Sequence, residues 1–177
     1  NLFSTRSSLP MPCFPAKLLS WVSRSEALKL VNNPATKIID TSTTRRVSPD
    51  WIYGLPEISA KHREKISNAS RVANCGCYPV SFILAVRPLV LAGLISPDVT
   101  LMINAVSGYS GGGRKMIEAF DKSTSGRRPG DANRPFSLYS LGARHKHIAE
   151  MWKYTLIDRP PMFVPSVIHT YCGMMVS

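Results

Sequence analysis

The feature that most constrains the fold is the junction Asn74-Cys75-Gly76-Cys77-Tyr78-Pro79, which separates two apolar runs of different length. The run before it, residues 70–74, has the length and composition of a short strand. The run after it, residues 80–95, is long enough for a buried helix, and a proline suits the first turn of a helix. A strand that leads directly into a helix predicts an α/β layer.

Cys77 falls at the predicted start of this helix, where free backbone N–H groups and the positive end of the helix dipole converge. Such a setting favours the nucleophilic thiolate form of cysteine. A free cysteine is also often a small buried hydrophobic residue. The local sequence therefore leaves two interpretations of Cys77 open, a nucleophile and a core residue.

The rest of the chain continues the alternation of strands and helices and shows no internal repeat. A capping box at residues 23–26 predicts a short helix that ends at 32–34. The further predicted elements are a strand at 36–42, a loop at 48–56, a polar helix at 59–66, a helix at 79–94, a strand at 99–106, a glycine-rich loop at 107–113, a helix at 114–120, a polar loop at 121–135, a helix at 145–153, and strands at 162–166 and 173–177.

Charge and hydropathy exclude several classes of protein. The net charge is +11, but the 22 Lys and Arg residues are scattered and few aromatic residues alternate with them, which argues against a nucleic-acid surface. A site for anionic small molecules would also favour positive charge. No apolar run reaches the roughly 18 residues of a membrane span, since Arg87-Pro88 interrupts the best candidate. We expect neither nucleic acid nor membrane as a partner.

Four cysteines are too few and too unevenly spaced for a secreted disulfide scaffold, so we expect a reducing, cytoplasmic location. Residues 1–22 are atypical, because they are rich in Ser, Arg and Pro and contain no acidic residue. They resemble either part of an organelle transit peptide or a degraded stretch of a nucleotide-binding domain, and we favour the second interpretation.

A zinc site is the main alternative for the Cys and His residues. Two Cys and two His suit zinc, but C-x-C and H-x-H spacings are tighter than those of known zinc motifs. We therefore expect no metal at Cys75, Cys77, His145 and His147.

The junction resembles the active-site motif Asn-x-Gly-Cys-Tyr-Pro of the N-acetyl-gamma-glutamyl-phosphate reductases, the NADPH-dependent family of arginine biosynthesis. Further stretches resemble this family in the same order along residues 23–177. They are Ile-Asp-Thr-Ser-Thr-Thr-Arg-Arg at 39–46, Trp-Ile-Tyr-Gly-Leu-Pro-Glu at 51–57, Ser-Gly-Tyr-Ser-Gly-Gly-Gly-Arg at 107–114, His-Lys-His-Ile-Ala-Glu at 145–150, and the tail Phe-Val-Pro-Ser at 163–166 with Gly-Met-Met-Val-Ser at 173–177.

The resemblance implies an oxidoreductase that converts N-acetylglutamyl 5-phosphate, a small acyl phosphate, into the 5-semialdehyde through a cysteine thioester, with NADP(H) as cofactor. It implies that Cys77 is the nucleophile and His145 the general acid or base. The implied substrate-binding residues are Ser42, Arg46, His147 and Glu150, and the implied cofactor-binding residues are Ser110, Gly111 and Arg114.

Two features of these residues follow from their spacing. On the predicted helix, His145 and His147 diverge, whereas His147 and Glu150 can meet. The glycines at 107–113 could bring backbone N–H groups to a phosphate. For Arg46, the alternative to ligand binding is a surface ion pair.

The resemblance also implies the fold: a partial Rossmann-like NADP-binding layer at 1–74, then a mixed α+β catalytic and dimerisation domain of the semialdehyde-dehydrogenase type at 75–177, incomplete at its C-terminus. No G-x-G-x-x-G turn is present, so we expect weak or no NADPH binding and a homo-oligomer in the full-length family. Two alternatives stay open, a basic binding protein that keeps the fold without the cofactor and an aspartate-semialdehyde-type dehydrogenase.

Overall fold

The computed structural model describes residues 31, 33, 35–125, 136–142 and 144–177. The chain divides into two compact units, Asn1–Thr36 and Lys37–Ser177, and the features below belong to the second. The atypical residues 1–22, the predicted helix that starts at the capping box, and residues 126–135 of the predicted polar loop lie outside the described residues.

A small parallel sheet comes first. Its strands are arranged in the order β1-β3-β2, and a short 3-10 helix and one α-helix connect β2 to β3. Because parallel strands point the same way, the segments that follow β1, β2 and β3 emerge at one edge of the sheet. The bounds are β1 Ile38–Asp40, β2 Ile52–Tyr53, the 3-10 helix Pro56–Ile58, α1 His62–Asn68 and β3 Arg71–Ala73.

The long helix α2, Cys77–Leu91, follows β3 with only three residues between them. Gly76 is its N-cap residue, with an extended backbone at φ −78° and ψ 150°. The helix therefore begins at Cys77 itself. Beyond the other end of the helix, Gly93 has a φ of +69°, a left-handed conformation that glycine adopts without steric cost.

A second, mixed sheet has the strand order β5-β6-β4-β7. The central strands β4 and β6 are parallel, and each outer strand is antiparallel to its neighbour. The bounds are β4 Met102–Gly108, a 3-10 helix Tyr109–Gly112, α3 Arg114–Ser125, β5 Phe136–Leu138, α4 Ile148–Thr155, β6 Met162–Ile168 and β7 Met174–Val176.

Helix α2 contributes to both hydrophobic clusters of the described core. The larger cluster places its residues Tyr78, Phe82 and Val86 against the second sheet and α4. The smaller one packs Ile83 against residues of β2 and the segment after it. Each fully buried side chain of this kind stabilises the fold by about 1.5–3 kcal/mol. The packing therefore fixes the helix that starts at Cys77 relative to both sheets.

The expected α/β fold is confirmed, and most predicted elements are present with shifted ends. The boundary between domains at residues 74 and 75 stays a prediction. Three expectations about the elements were wrong. The predicted loop at 48–56 contains β2, whose two residues are extended because they pair with β3. The polar loop at 121–135 begins as helix, since α3 continues to Ser125, and is followed by the unpredicted strand β5. The helix predicted at 145–153 begins at Ile148.

Candidate active site

A cavity at the start of α2 brings together three of the motifs singled out in the sequence. Its volume is about 120 Å³. The residues that line it are Cys77, Tyr78, Ser107, Gly111, Gly112, Met116, Tyr139, His145, Lys146, His147 and Val167. The candidate nucleophile, both candidate histidines and the glycine-rich segment, by which we mean residues 107–114, thus share one cavity.

Cys77 occupies the first helical position of α2, and its side chain is exposed. The N-cap residue Gly76 has no side chain to cap the helix, so the helix dipole acts on this position without a capping side chain. Cys75, two residues earlier, is half-buried and its Sγ lies 3.8 Å from the carbonyl oxygen of Gly54. The two thiols of the junction therefore have different surroundings.

His145 and His147 stand in the turn before α4, and not on the helix. Their ring centroids lie 4.7 Å apart, although residues two apart diverge on a helix. The argument from helical spacing was therefore wrong for this pair. Both side chains are buried at the cavity wall.

One hydrogen bond defines the tautomer of His145. Its Nδ1 accepts the backbone N–H of His147 at 3.2 Å. Nδ1 then carries no proton in the neutral ring, and Nε2 carries it. In this form His145 offers Nε2–H as a hydrogen-bond donor.

Both histidines are held in the neutral form. Burial lowers the pKa of His145 to about 4, and the charge of Lys146 adds to the effect. Burial, followed by the charges of His145, Arg46 and Lys146, lowers the pKa of His147 to about 3. The His147 Nδ1 atom is buried and has no hydrogen-bond partner among the described residues. At neutral pH the cavity wall therefore presents two uncharged imidazoles.

Behind this wall lies a buried polar cluster that we call the junction network: Arg46, Tyr53, Gly76 and Glu150. Glu150 Oε1 accepts a hydrogen bond from Arg46 Nη1 at 2.8 Å. Its Oε2 accepts the Tyr53 hydroxyl at 2.8 Å and the Gly76 backbone N–H at 2.9 Å. The carboxylate thus joins four segments of the chain.

Arg46 is a buried member of this network, so its ion pair is not the surface pair considered as the alternative to ligand binding. Its Nη2 donates to the carbonyl oxygen of Thr41 at 3.2 Å. Its Nε is buried without a partner among the described residues. Arg46 is not among the residues that line the cavity.

Ser42 builds the turn after β1. Its backbone N–H donates to Asp40 Oδ1 at 2.6 Å, and its Oγ accepts the backbone N–H of Thr44 at 3.3 Å. Its role in substrate binding stays a prediction, as do the assigned roles of the other site residues.

In the glycine-rich segment, the backbone N–H groups of four residues form hydrogen bonds within the protein. The N–H groups of Gly108, Tyr109 and Ser110 donate to carbonyl oxygens in residues 170–173, and that of Gly113 donates to Ser110. Arg114 is 91% exposed and pairs with Glu118 at 2.7 Å. Gly111 and Gly112 line the cavity, whereas Ser110 and Arg114 do not.

The volume of the cavity and the hydrogen bonds of the glycine-rich segment limit the size of the ligand that fits here. A dinucleotide needs free backbone N–H groups at its pyrophosphate and a pocket of roughly 300–1,000 Å³. The cavity of about 120 Å³ and the committed N–H groups of the segment do not fit such a ligand. This cavity therefore has room for a reacting group and not for a whole dinucleotide, and the cofactor-binding roles of Ser110, Gly111 and Arg114 stay predictions.

Tyr78, Tyr139 and Lys146 are polar cavity residues that were not assigned from the sequence. Tyr78 and Tyr139 place their hydroxyls 3.2 Å apart, and burial raises the pKa of Tyr139. Lys146 lines the cavity between the two histidines. The motifs themselves contain Tyr78 and Lys146 and could have indicated them, but no local signal marked Tyr139, which follows the unpredicted strand β5.

Within the described residues, no group of three or more His, Cys, Asp or Glu side chains could hold a metal ion. Among the described helices, none combines the length and hydrophobicity needed to span a bilayer.

Comparison with known proteins identifies relatives of both the sequence and the fold. A protein of Nostoc sp. named N-acetyl-gamma-glutamyl-phosphate reductase 2 is 42% identical over 151 residues, which are 85% of this chain and 47% of the relative. The N-acetyl-gamma-glutamyl-phosphate reductase of Sinorhizobium medicae is 42% identical over 154 residues, 87% of this chain and 49% of the relative. The chain spans about half the length of the curated relatives it matches.

Among solved structures, aspartate semialdehyde dehydrogenase II from Vibrio cholerae matches with a TM-score of 0.53 and 16% identity, over 78% of this chain and 46% of that one. At this identity the likeness concerns the fold alone. The family described as "Semialdehyde dehydrogenase, dimerisation domain" matches residues 77–177. The match begins at Cys77, which lines the cavity, and includes the whole second sheet, so this chain belongs to the semialdehyde dehydrogenase family.

Proposed function

We propose that this chain carries the acyl-transfer site of an NADPH-dependent N-acetyl-gamma-glutamyl-phosphate reductase of arginine biosynthesis. The observation that carries the proposal is the cavity in which Cys77, His145 and His147 meet the glycine-rich segment. The names and identities of the curated relatives support the substrate, N-acetylglutamyl 5-phosphate. A cytoplasmic location belongs to the same proposal and agrees with the three free thiols of the described residues.

Cys77 is the nucleophile in this proposal. Its thiolate attacks the acyl carbon, the bond from that carbon to the phosphate oxygen breaks, and phosphate leaves as a thioester forms on Sγ. The helix start supports the anionic sulfur before the attack. NADPH would supply the hydride that reduces the thioester to the aldehyde, and Ser110, Gly111 and Arg114 are the residues that the family resemblance assigns to hold it.

His145 acts as a hydrogen-bond donor toward the substrate oxygen. Its Nδ1 is engaged by the backbone N–H of His147, so Nε2–H is the group left to meet negative charge on the acyl oxygen. Such a donor contributes when charge develops in the transition state, and removal of one donor of this kind typically lowers the rate by about 10²–10³-fold.

The acyl-transfer half of the reaction can be tested without the cofactor. The chain is mixed with N-acetylglutamyl 5-phosphate, phosphate release is followed, and the Cys77 peptide is examined by mass spectrometry. We expect one equivalent of phosphate and one acyl group on Cys77. Cys77→Ser should abolish both, and Cys172→Ser is the matched control with an exposed thiol elsewhere.

Aspartyl phosphate in the same assay separates the two substrates by competition. Faster acylation by aspartyl phosphate would contradict the proposed specificity. A folded chain that releases no phosphate from either compound would contradict the enzymatic proposal and favour a binding protein that keeps the fold. For the complete reaction, reduction of NADP⁺ with the semialdehyde and phosphate is the assay.

We further infer that a second copy of the chain covers the outer face of the second sheet. The strand register places Met102, Met162 and Met175 on the face opposite the core, together with Phe136 and Leu138 of β5. All five are about half exposed or more, so they form an apolar surface of a kind that marks interaction sites. The sheet lies within the matched dimerisation domain, which supports a second copy as the occupant.

Sedimentation velocity tests this inference. We expect a dimer of the chain, and Met162→Glu should convert it to a monomer. Leu91→Glu, an equally exposed apolar position on α2, is the control and should leave the dimer intact. A monomeric chain at micromolar concentration would contradict the inference.

A further inference from the structure

We propose that Glu150 is a positioning residue for Cys77: its carboxylate holds the start of α2 in place and does not bind the substrate. The inference rests on the proposed acylation of Cys77, for which it supplies the geometry.

Both oxygens of the Glu150 carboxylate are already hydrogen-bonded within the protein. The residue is 1% exposed, and three donors from the protein occupy its two oxygens. A buried carboxylate is stable only when it is paired and hydrogen-bonded, and Arg46 together with two neutral donors meets that need. Glu150 is not among the residues that line the cavity, so a substrate there would not meet its oxygens.

One of these donors belongs to the residue directly before the nucleophile. The N–H of Gly76 donates to Glu150 at 2.9 Å, and the Gly76 carbonyl accepts the N–H of Val80 at 3.1 Å, which closes the first turn of the helix. Both hydrogen-bonding groups of this residue are therefore held. Because Cys77 is the next residue, the network determines where its side chain begins.

The packing around Gly76 leaves no room for a Cβ atom unless a neighbouring side chain shifts. A Cβ atom there would lie 2.7 Å from Arg46 Nη1, 2.9 Å from His147 Nε2 and 3.0 Å from Glu150 Oε1. The absence of a side chain lets the arginine, the histidine and the carboxylate approach the backbone together. Gly76 thus lies next to both His147 of the cavity wall and the ion pair behind that wall.

Glu150 also links the two sides of the cavity. It belongs to the first turn of α4, directly after the turn that carries His145 and His147. Through Gly76 it holds the start of α2, which carries Cys77. Beside the hydrophobic packing of α2 against α4, this carboxylate therefore helps to set the distance between the nucleophile and the histidines.

The test begins with the unliganded chain. In Glu150→Gln, one oxygen is replaced by an NH2 group that cannot accept a hydrogen bond. Gly76 loses its charged acceptor in either orientation of the amide, because its partner becomes the NH2 group or a neutral oxygen that binds it more weakly. We expect amide hydrogen exchange in residues 76–80 to be about tenfold faster than in the original chain, the size expected for a lost hydrogen bond to a charged group. Glu118→Gln, at the exposed pair with Arg114, is the matched control and should leave this exchange unchanged.

Acylation kinetics separate positioning from substrate binding. For Glu150→Gln we expect a maximal rate of Cys77 acylation about tenfold lower, with the half-saturating substrate concentration changed less than twofold. A residue that binds the substrate would instead raise the half-saturating concentration and leave the exchange of the unliganded chain unaltered. That pair of results would overturn the proposal.

A second variant covers the case in which Glu150→Gln does not fold. Tyr53→Phe removes the donor that shares Oε2 with Gly76 and keeps the ion pair, so we expect a smaller increase of exchange in residues 76–80. Unchanged exchange in this variant as well would overturn the proposal. If the original chain is not acylated, the proposed function fails, and the exchange measurements alone decide the role of Glu150.

Discussion

The junction network lies behind the cavity wall and the glycine-rich segment lines part of the cavity, and the two are built in opposite ways. In the network, a buried carboxylate is satisfied by donors from three other parts of the chain. In the segment, the N–H groups of four residues donate to carbonyl oxygens of loops and turns, and the charged residue at its end, Arg114, is almost fully exposed. The network is stabilised by a buried ion pair with its hydrogen bonds. The segment is stabilised by backbone hydrogen bonds and ends at an exposed ion pair.

This difference separates two tasks of the proposed reaction. A nucleophile must be held within a fraction of an ångström, which favours a buried and fully satisfied environment around its backbone. A surface that meets a second ligand needs no such rigidity before that ligand arrives. We therefore expect substitutions in the network to cost both stability and acylation rate, and substitutions in the segment to cost little stability.

The largest contrast is expected at the two arginines. Arg46→Met leaves the Glu150 carboxylate buried without its charge partner, so the free energy of unfolding should fall by about 3–5 kcal/mol. Arg114→Met removes only an exposed pair and should cost less than about 0.5 kcal/mol. Urea denaturation measures both values.

The double variant Arg46→Met with Glu150→Leu is the control for charge burial. It should regain part of the stability lost in Arg46→Met, because no charge is then left buried and unpaired. Equal losses at Arg46 and Arg114 would contradict the comparison.

Two glycines provide the next contrast. Gly76→Ala places a methyl group 2.7–3.0 Å from three polar side-chain atoms, so we expect a loss of about 1–3 kcal/mol. At Gly111 the nearest atom to a Cβ is Ser107 Oγ at 3.8 Å, so Gly111→Ala should change stability by less than about 1 kcal/mol. Thermal unfolding compares the two, and a more damaging Gly111→Ala would show that the segment is the tighter region.

The histidines of the cavity wall predict how stability depends on pH. Their folded-state pKa values, about 4 for His145 and about 3 for His147, lie below the unfolded value of about 6.5. Below pH 6.5 the unfolded chain binds protons that the folded chain does not. Stability is therefore fully present above pH 6.5 and is lost as the pH falls toward 4 and then 3, by at most about 1.4 kcal/mol per pH unit for each histidine.

Urea denaturation at pH 7, 6 and 5 measures this slope. In the double variant His145→Asn with His147→Asn the slope should be smaller over the same range. An unchanged slope would assign the pH dependence to other groups of the protein.

The smallest expected effect concerns the two thiols of the junction. Burial raises the pKa of Cys75, whereas Cys77 is exposed at the cavity. Iodoacetamide should modify Cys77 at least about tenfold faster than Cys75, as measured by peptide mass mapping. The exposed Cys172 is the internal reference, and equal rates at Cys75 and Cys77 would contradict the assignment of different surroundings.

The elements that were predicted correctly are those whose own residues carry a helix or strand signal. The helix at Cys77 follows from a proline in its first turn and a long apolar run, and α3 from the residues after the glycines. The strands β2 and β5 lack such signals, because they are two and three residues long and are extended only through pairing with β3 and β6. The histidine turn was assigned to a helix because its sequence does not distinguish the last residues of a turn from the first of a helix.

By itself, the sequence determined that a cysteine stands at the first turn of a buried helix directly after a strand, and which family the motifs resemble. Only the tertiary structure decided that Glu150 contacts Arg46, 104 residues away, and Gly76, 74 residues away. It also showed that the ion pair of Arg46 is buried and not on the surface. Helix starts depend on neighbouring residues, whereas a buried ion pair depends on how whole elements pack, and no short stretch of sequence contains that information.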